Sequence, residues 1–130
     1  MQRFVLAGLG GFIGSALRYG LGGLLLRPKG AAVFPLETLI INVSGCLAIG
    51  FLSALAEIRG VLAGPSRVFL FIGLLGGFTT FSSFGYETFQ LMRDGQDRIA
   101  LLSAILQLVL GVGAVWSGGT LARWLGVVLR

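Results

Sequence analysis

Four apolar stretches, near residues 4–26, 34–57, 68–92 and 99–125, take up almost the whole of this 130-residue chain. Each is close to the roughly 20 residues that a helix needs to cross about 30 Å of hydrocarbon. Too few residues remain between them for a soluble domain. The composition agrees, with 55% of residues hydrophobic, 12% charged and a mean hydropathy of +0.94, far from the balance of a soluble protein. The expected fold class is an all-α integral membrane protein: one domain over residues 1–130 with four transmembrane helices.

The first stretch opens with Arg3 and then runs apolar, as a signal peptide does. It also contains Arg18, lacks an Ala-x-Ala cleavage site and is too long for a short apolar core, so a retained span is expected. Several chemistries are excluded by what the chain lacks. A lone Cys46 and no histidine leave no internal disulfide, no Cys/His metal site and no Ser-His-Asp arrangement; Cys46 reads as small packing filler. There is no Gly-Lys-Ser/Thr phosphate loop. "GLGGFIG" at 8–14 puts Ile13 where the dinucleotide fingerprint needs its third glycine, and no strand precedes it. No enzyme is expected. The net charge of +5 does not point to nucleic acid, because the basic residues sit mainly at span ends, where Lys and Arg anchor to headgroups.

With four spans both termini share one side of the membrane. Arg3, Arg59, Arg67, Arg123 and Arg130 fall on that side and Arg27, Lys29, Arg93 and Arg98 on the other. So even a balance gives the positive-inside rule little to act on. Either both orientations insert, or another signal selects one. Insertion both ways would make an antiparallel homodimer the natural assembly, its two-fold axis lying in the membrane plane.

Gly10 and Gly14 in the first span, continued by Gly22, and Gly73 and Gly77 in the third make small-residue faces that let backbones approach closely. Polar residues deep in the spans are more informative, because they are costly there. Thr38, Asn42 and Gly45 share one face of the second span, and Ser103, Gln107 and Gly111 share one face of the fourth. The two amides either line a hydrated path or join helices. Arg18 is either functional or satisfied by snorkelling, by helix-end carbonyls or by an acid; Glu87, two-thirds through the third span, is free to pair with it or to face a vestibule.

The third span turns from "VFLFIGLL" to "GGFTTFSSFGYET" at residues 76–88. Wound as one helix, it would gather Phe78, Phe81, Phe84 and Phe89 on one side and Thr79, Ser83, Tyr86 and Glu87 on the other. Two glycines followed by Phe and two β-branched threonines disfavour regular helix, so a break near the middle of this span is expected. Such a break is tolerated only where its freed polar groups meet protein, water or an ion, and its carbonyls suit a hard cation such as Na⁺. Phenyl rings presented edge-on can accept a small anion, and amide N–H groups and hydroxyls supply hydrogen-bond donors. Donors and ring edges without a line of fixed cations favour conduction over storage.

"GGFTTFSSFGYET", together with "GGFIGSALRYGL" in the first span and "INVSGCLAIGFL" in the second, resembles the Fluc (CrcB) fluoride channels. The likeness extends over nearly all the chain. It implies a dual-topology antiparallel homodimer in the cell inner membrane, with two narrow pores that pass F⁻ down its electrochemical gradient and largely exclude Cl⁻. It further implies Phe81 and Phe84 as pore-facing rings that meet fluoride edge-on, Asn42 as the amide donor beside them, and Ser82 and Ser83 as pore hydroxyls or polar support. The Gly76 and Thr79 carbonyls of both subunits would enclose a structural Na⁺. Two positions depart from the family pattern: Ser83 stands where a threonine is frequent, and the fourth span offers Ser103 and Gln107 in place of a hydroxyl track that commonly includes a tyrosine.

The main alternative is a small proton-coupled multidrug exporter, also of four spans and often of dual topology. That chemistry needs an acid embedded in the first span, where this chain has Arg18. A non-transporting scaffold is a third reading, and an intramembrane enzyme ranks last for want of a nucleophile with its base.

Overall fold

A computed structural model of the chain describes residues 1–26 and 34–128. Arg27, Lys29 and Arg130, three of the charges weighed for orientation, lie outside them. Helix α1 covers Gln2–Gly20 and continues as a wider π-wound turn over Leu21–Leu26. Helix α2 covers Leu36–Arg59 and ends at Gly60, whose φ of 63° is left-handed and suits glycine. Proline sits in the first turn of the next span, where its missing N–H costs nothing. That span begins with α3 at residues 65–78, which is π-wound over Val68–Leu75 and α-helical again at Gly76–Phe78. Two extended residues follow, and helix resumes as α4, Phe81–Arg93. A tight turn with Gly95 at φ 73° leads to α5, Asp97–Val128; the Gln96 N–H closes the end of α4 on Leu91 O at 2.8 Å.

Four stretches are long and apolar enough to cross a membrane: Gln2–Gly23, Leu36–Arg59, Pro65–Arg93 and Asp97–Gly126. Their ends fall within three residues of those expected from hydropathy alone. Burial follows the pattern of a protein solvated by lipid. Phe4, Phe12, Trp116 and Trp124 are exposed, whereas small residues such as Gly14, Ala54, Ala100 and Ala122 are buried. In water so much exposed aromatic surface would be prohibitive; against acyl chains it is not. The chain is a multi-pass membrane protein.

Two glycine seams hold the helices together. Along α1 and α3 a Cβ built on Gly10 would come within 2.9 Å of Gly73 Cα, and one built on Gly14 would meet Leu74 O and, at 2.8 Å, Phe78 N. Along α2 and α5 a Cβ on Gly50 would strike Val115 O, and one on Gly118 would strike Leu47 O and, at 2.9 Å, Phe51 N. In both seams residue numbers rise together, so each pair runs parallel, as alternate spans of an up-and-down bundle must. Van der Waals contact between backbones replaces the hydrophobic drive that lipid removes.

Candidate functional site

The site is built on the interruption of the third span. Thr79 (φ −82°, ψ 158°) and Thr80 (φ −150°, ψ 111°) are extended between α3 and α4. β-Branched side chains are at home in that conformation, and each threonine also bonds locally. Thr79 Oγ1 donates back to Leu75 O at 3.0 Å. Thr80 caps α4: its Oγ1 accepts the Ser83 N–H at 3.2 Å, donates to Ser83 Oγ at 3.1 Å and lies 3.2 Å from Ser82 Oγ.

The Thr80 backbone is held from across the bundle. Asn42 Oδ1 accepts the Thr80 N–H at 2.8 Å and Asn42 Nδ2 donates to Thr80 O at 3.1 Å, so one amide side chain bridges both polar groups of one residue. The other Asn42 proton goes to Gln107 Oε1 at 3.3 Å. A backbone N–H only donates and a C=O only accepts, so Thr80 fixes which end of the Asn42 amide is oxygen. Both Asn42 N–H groups are therefore engaged, and the donor expected there for a passing anion is not free in this arrangement. Its place in the network depends on residues 38 and 65 positions away, which local sequence does not reveal.

Beside this network lies a cavity of about 430 Å³ lined by, among others, Asn42, Thr80, Phe81, Phe84 and Gln107. Phe81 and Phe84, one turn apart on α4, meet edge to face with centroids 5.6 Å apart and planes at 65°. Phe81 is 82% exposed on the single chain. None of the residues lining the cavity is charged. Amide- and hydroxyl-bearing residues and two phenylalanines thus line a space whose lining holds no charged residue.

The interruption also frees carbonyls. The Thr80 N–H, which would bond Gly76 O in a continuous helix, is turned to Asn42, and the Ser83 N–H, which would bond Thr79 O, is turned to the Thr80 hydroxyl. Gly76 and Thr79 both line the cavity, and Gly76 is exposed.

A family model described as CrcB-like protein, Camphor Resistance (CrcB), matches residues 5–120. The chain belongs to the CrcB family. It is 46% identical over 123 residues to a protein of Methylobacillus flagellatus, covering 95% of this chain and 96% of that one. It is 47% identical over 118 residues to one of Thermus thermophilus (91% and 93% covered) and 48% identical over 118 residues to one of Nitratidesulfovibrio vulgaris (91% and 94% covered). Each of these relatives is named fluoride-specific ion channel FluC; none of the three bears the name of an exporter or an enzyme.

In this CrcB chain the cavity brings together Asn42, Gly76, Thr79, Phe81, Phe84 and Gln107. The remaining residues singled out in the sequence lie around it. Ser82 and Ser83 bond Thr80 rather than lining the space. Thr38, buried, donates to Glu87 Oε1 at 2.7 Å, and Ser103 is fully buried one turn before Gln107, its Oγ without a partner among the described residues. Arg18 is half-buried and does not pair with Glu87; among the described residues the one ion pair is Arg93 with Asp94. The four phenylalanines do not form one stripe. The extended residues put Phe78 on a separate helical segment, against Gly45, and Phe89 is exposed. Cys46 packs beside Gly111, where an added Cβ would lie 3.6 Å from its Sγ, and also reaches the cavity wall. Thr80, the hub of the network, is not among the residues expected from the sequence; its one local signal is a threonine directly ahead of a helix, a favoured N-cap.

Proposed function

We propose that the chain is a fluoride-specific ion channel that lets F⁻ pass down its electrochemical gradient and so protects the cell from fluoride. The observation that carries this is the uncharged cavity at the interruption, with the edge-to-face pair Phe81 and Phe84 on its wall. The positive rims of the rings attract a small anion without the strong binding that a line of cations would give, so the ion enters and also leaves. The names of the relatives point to the same ion.

The pathway is completed by a second, antiparallel copy. Supporting this are the near-equal charge at the two ends of the spans and the 82% exposure of Phe81, a wall residue that needs a facing wall. A structural Na⁺ fits the donor set: the Gly76 and Thr79 carbonyls have lost their helical donors, and uncommitted carbonyl oxygens are ligands for a hard cation. Bound there, the ion would offset the dipoles of those carbonyls. Ser82 and Ser83 support the pathway through Thr80.

The test is fluoride release from vesicles reconstituted with the native chain and with Phe81→Ile or Phe84→Ile. The native chain is expected to empty its vesicles, and each variant to be slower by about tenfold or more, since ring-edge attraction of roughly 1 kcal/mol or more is lost. Both variants are expected to keep the native oligomer size. Equal rates for native and variant chains would refute the assignment of the rings.

A further inference from the structure

Both extended residues of the third span are held from one face of α2. Asn42 bridges the Thr80 backbone, and Gly45, three residues further along that face, receives the Thr79 side chain. Gly45 is buried, and a Cβ built on it would overlap the Thr79 Cγ2 methyl. The next nearest atoms are at ordinary contact distance, Phe78 Cδ1 at 3.4 Å and Thr79 Cβ at 3.7 Å. One methyl group therefore fills the place of the missing side chain.

That methyl is not free to swing aside. Thr79 carries its hydroxyl and its methyl on the same Cβ, and the hydroxyl donates at 3.0 Å to Leu75 O, the oxygen that the Thr79 N–H also meets at 3.0 Å. Turning χ1 to lift the methyl out of the Gly45 notch would turn the hydroxyl away from Leu75. The side chain is thus pinned at two points, to the end of α3 by its hydroxyl and to α2 by its methyl. At the same residue the backbone passes from helical to extended, and the ψ of 158° aims the Thr79 carbonyl.

We propose that Gly45 is a positioning residue for the cation site: by leaving room for the Thr79 methyl it sets the direction of the Thr79 carbonyl, and with it the affinity for Na⁺. The assignment rests on the Na⁺ reading above. Gly45 supplies no ligand of its own, because its carbonyl lies within the α2 ladder. It acts through Thr79, as the groups that orient a metal ligand do elsewhere.

The experiment follows the thermal transition of the purified chain in detergent as choline is replaced by Na⁺ at constant ionic strength. It reads the Na⁺ concentration above which the transition begins to climb, which marks the dissociation constant. Gly45→Ala is made in the native chain and again in a Thr79→Ser background, where the hydroxyl for Leu75 is kept and the methyl removed. In the native chain it is expected to raise that concentration by about tenfold or more, and in the Thr79→Ser background by less than about threefold. A Na⁺ dependence that Gly45→Ala leaves unchanged, even with a lower transition throughout, would overturn the proposal, as would an equal shift in both backgrounds. Should Gly45→Ala alone not assemble, assembly of the double variant would support the notch, and its failure to assemble would overturn it. A native chain whose transition ignores Na⁺ would instead remove the cation reading on which the assignment stands.

Discussion

Thr80 shows how much a single residue organises here. Its backbone is bridged by Asn42 and its hydroxyl caps α4 while touching two serines. Thr80→Val keeps the shape and the β-branch but removes the hydroxyl. It is expected to lower stability by about 1 kcal/mol, the usual worth of an N-cap, measured as an earlier thermal transition in detergent, with the Asn42 bridge intact. An unchanged transition would mean that the cap contributes nothing. At this scale the sequence singles out side chains by type and spacing and leaves their partners hidden. Asn42, Gln107, Phe81 and Phe84 stood out by type and spacing, and all four meet at one cavity. Which proton of Asn42 goes where is decided by contacts between distant spans, so the engaged state of that amide had no local signal.

At the level of elements, the spans and the seams between them follow from elementary rules. Length and hydropathy located all four spans, because the bilayer fixes how many apolar residues a helix needs. The extended Thr79 and Thr80 follow from two glycines and two β-branched residues in succession. The π winding of Val68–Leu75 does not follow: "VFLFIGLL" is uniformly apolar and carries no positional signal for a wider turn. The seams also yield a contrast between two glycines of α1. A Cβ at Gly14 would run into the α3 backbone at Leu74 and Phe78, whereas one at Gly8 meets nothing within 4 Å. Gly14→Ala is therefore expected to destabilise the protein by about 1–3 kcal/mol, the ordinary cost of overpacking. Gly8→Ala is expected to be neutral or stabilising by up to about 1 kcal/mol, from helix propensity. Thermal melts of the two variants side by side check the pair, and similar behaviour would show that the seam tolerates a methyl group.

For the whole molecule, the least legible property is the proposed pairing of two chains. The charge balance allowed two-way insertion without requiring it, since five basic residues against four give no direction. Phe81 and Gly76 are exposed where they line the cavity, and this supports the proposed facing surface. Topology is measurable from one cysteine. With Cys46→Ala removing the native thiol, Asp94→Cys places a new one in the exposed turn between α4 and α5. Membrane-impermeant label is expected to reach about half of the chains from each side of the membrane, as dual topology requires; labelling from one side only would contradict the antiparallel assembly.

The central claim is that an uncharged, ring-walled space passes fluoride and little else. Its most direct test is release of fluoride and of chloride, measured side by side from vesicles holding the purified native chain and loaded with one salt or the other. Rapid fluoride release with chloride at the level of protein-free vesicles is the expected result. Fluoride release no faster than from protein-free vesicles, or equal release of both anions, would contradict it.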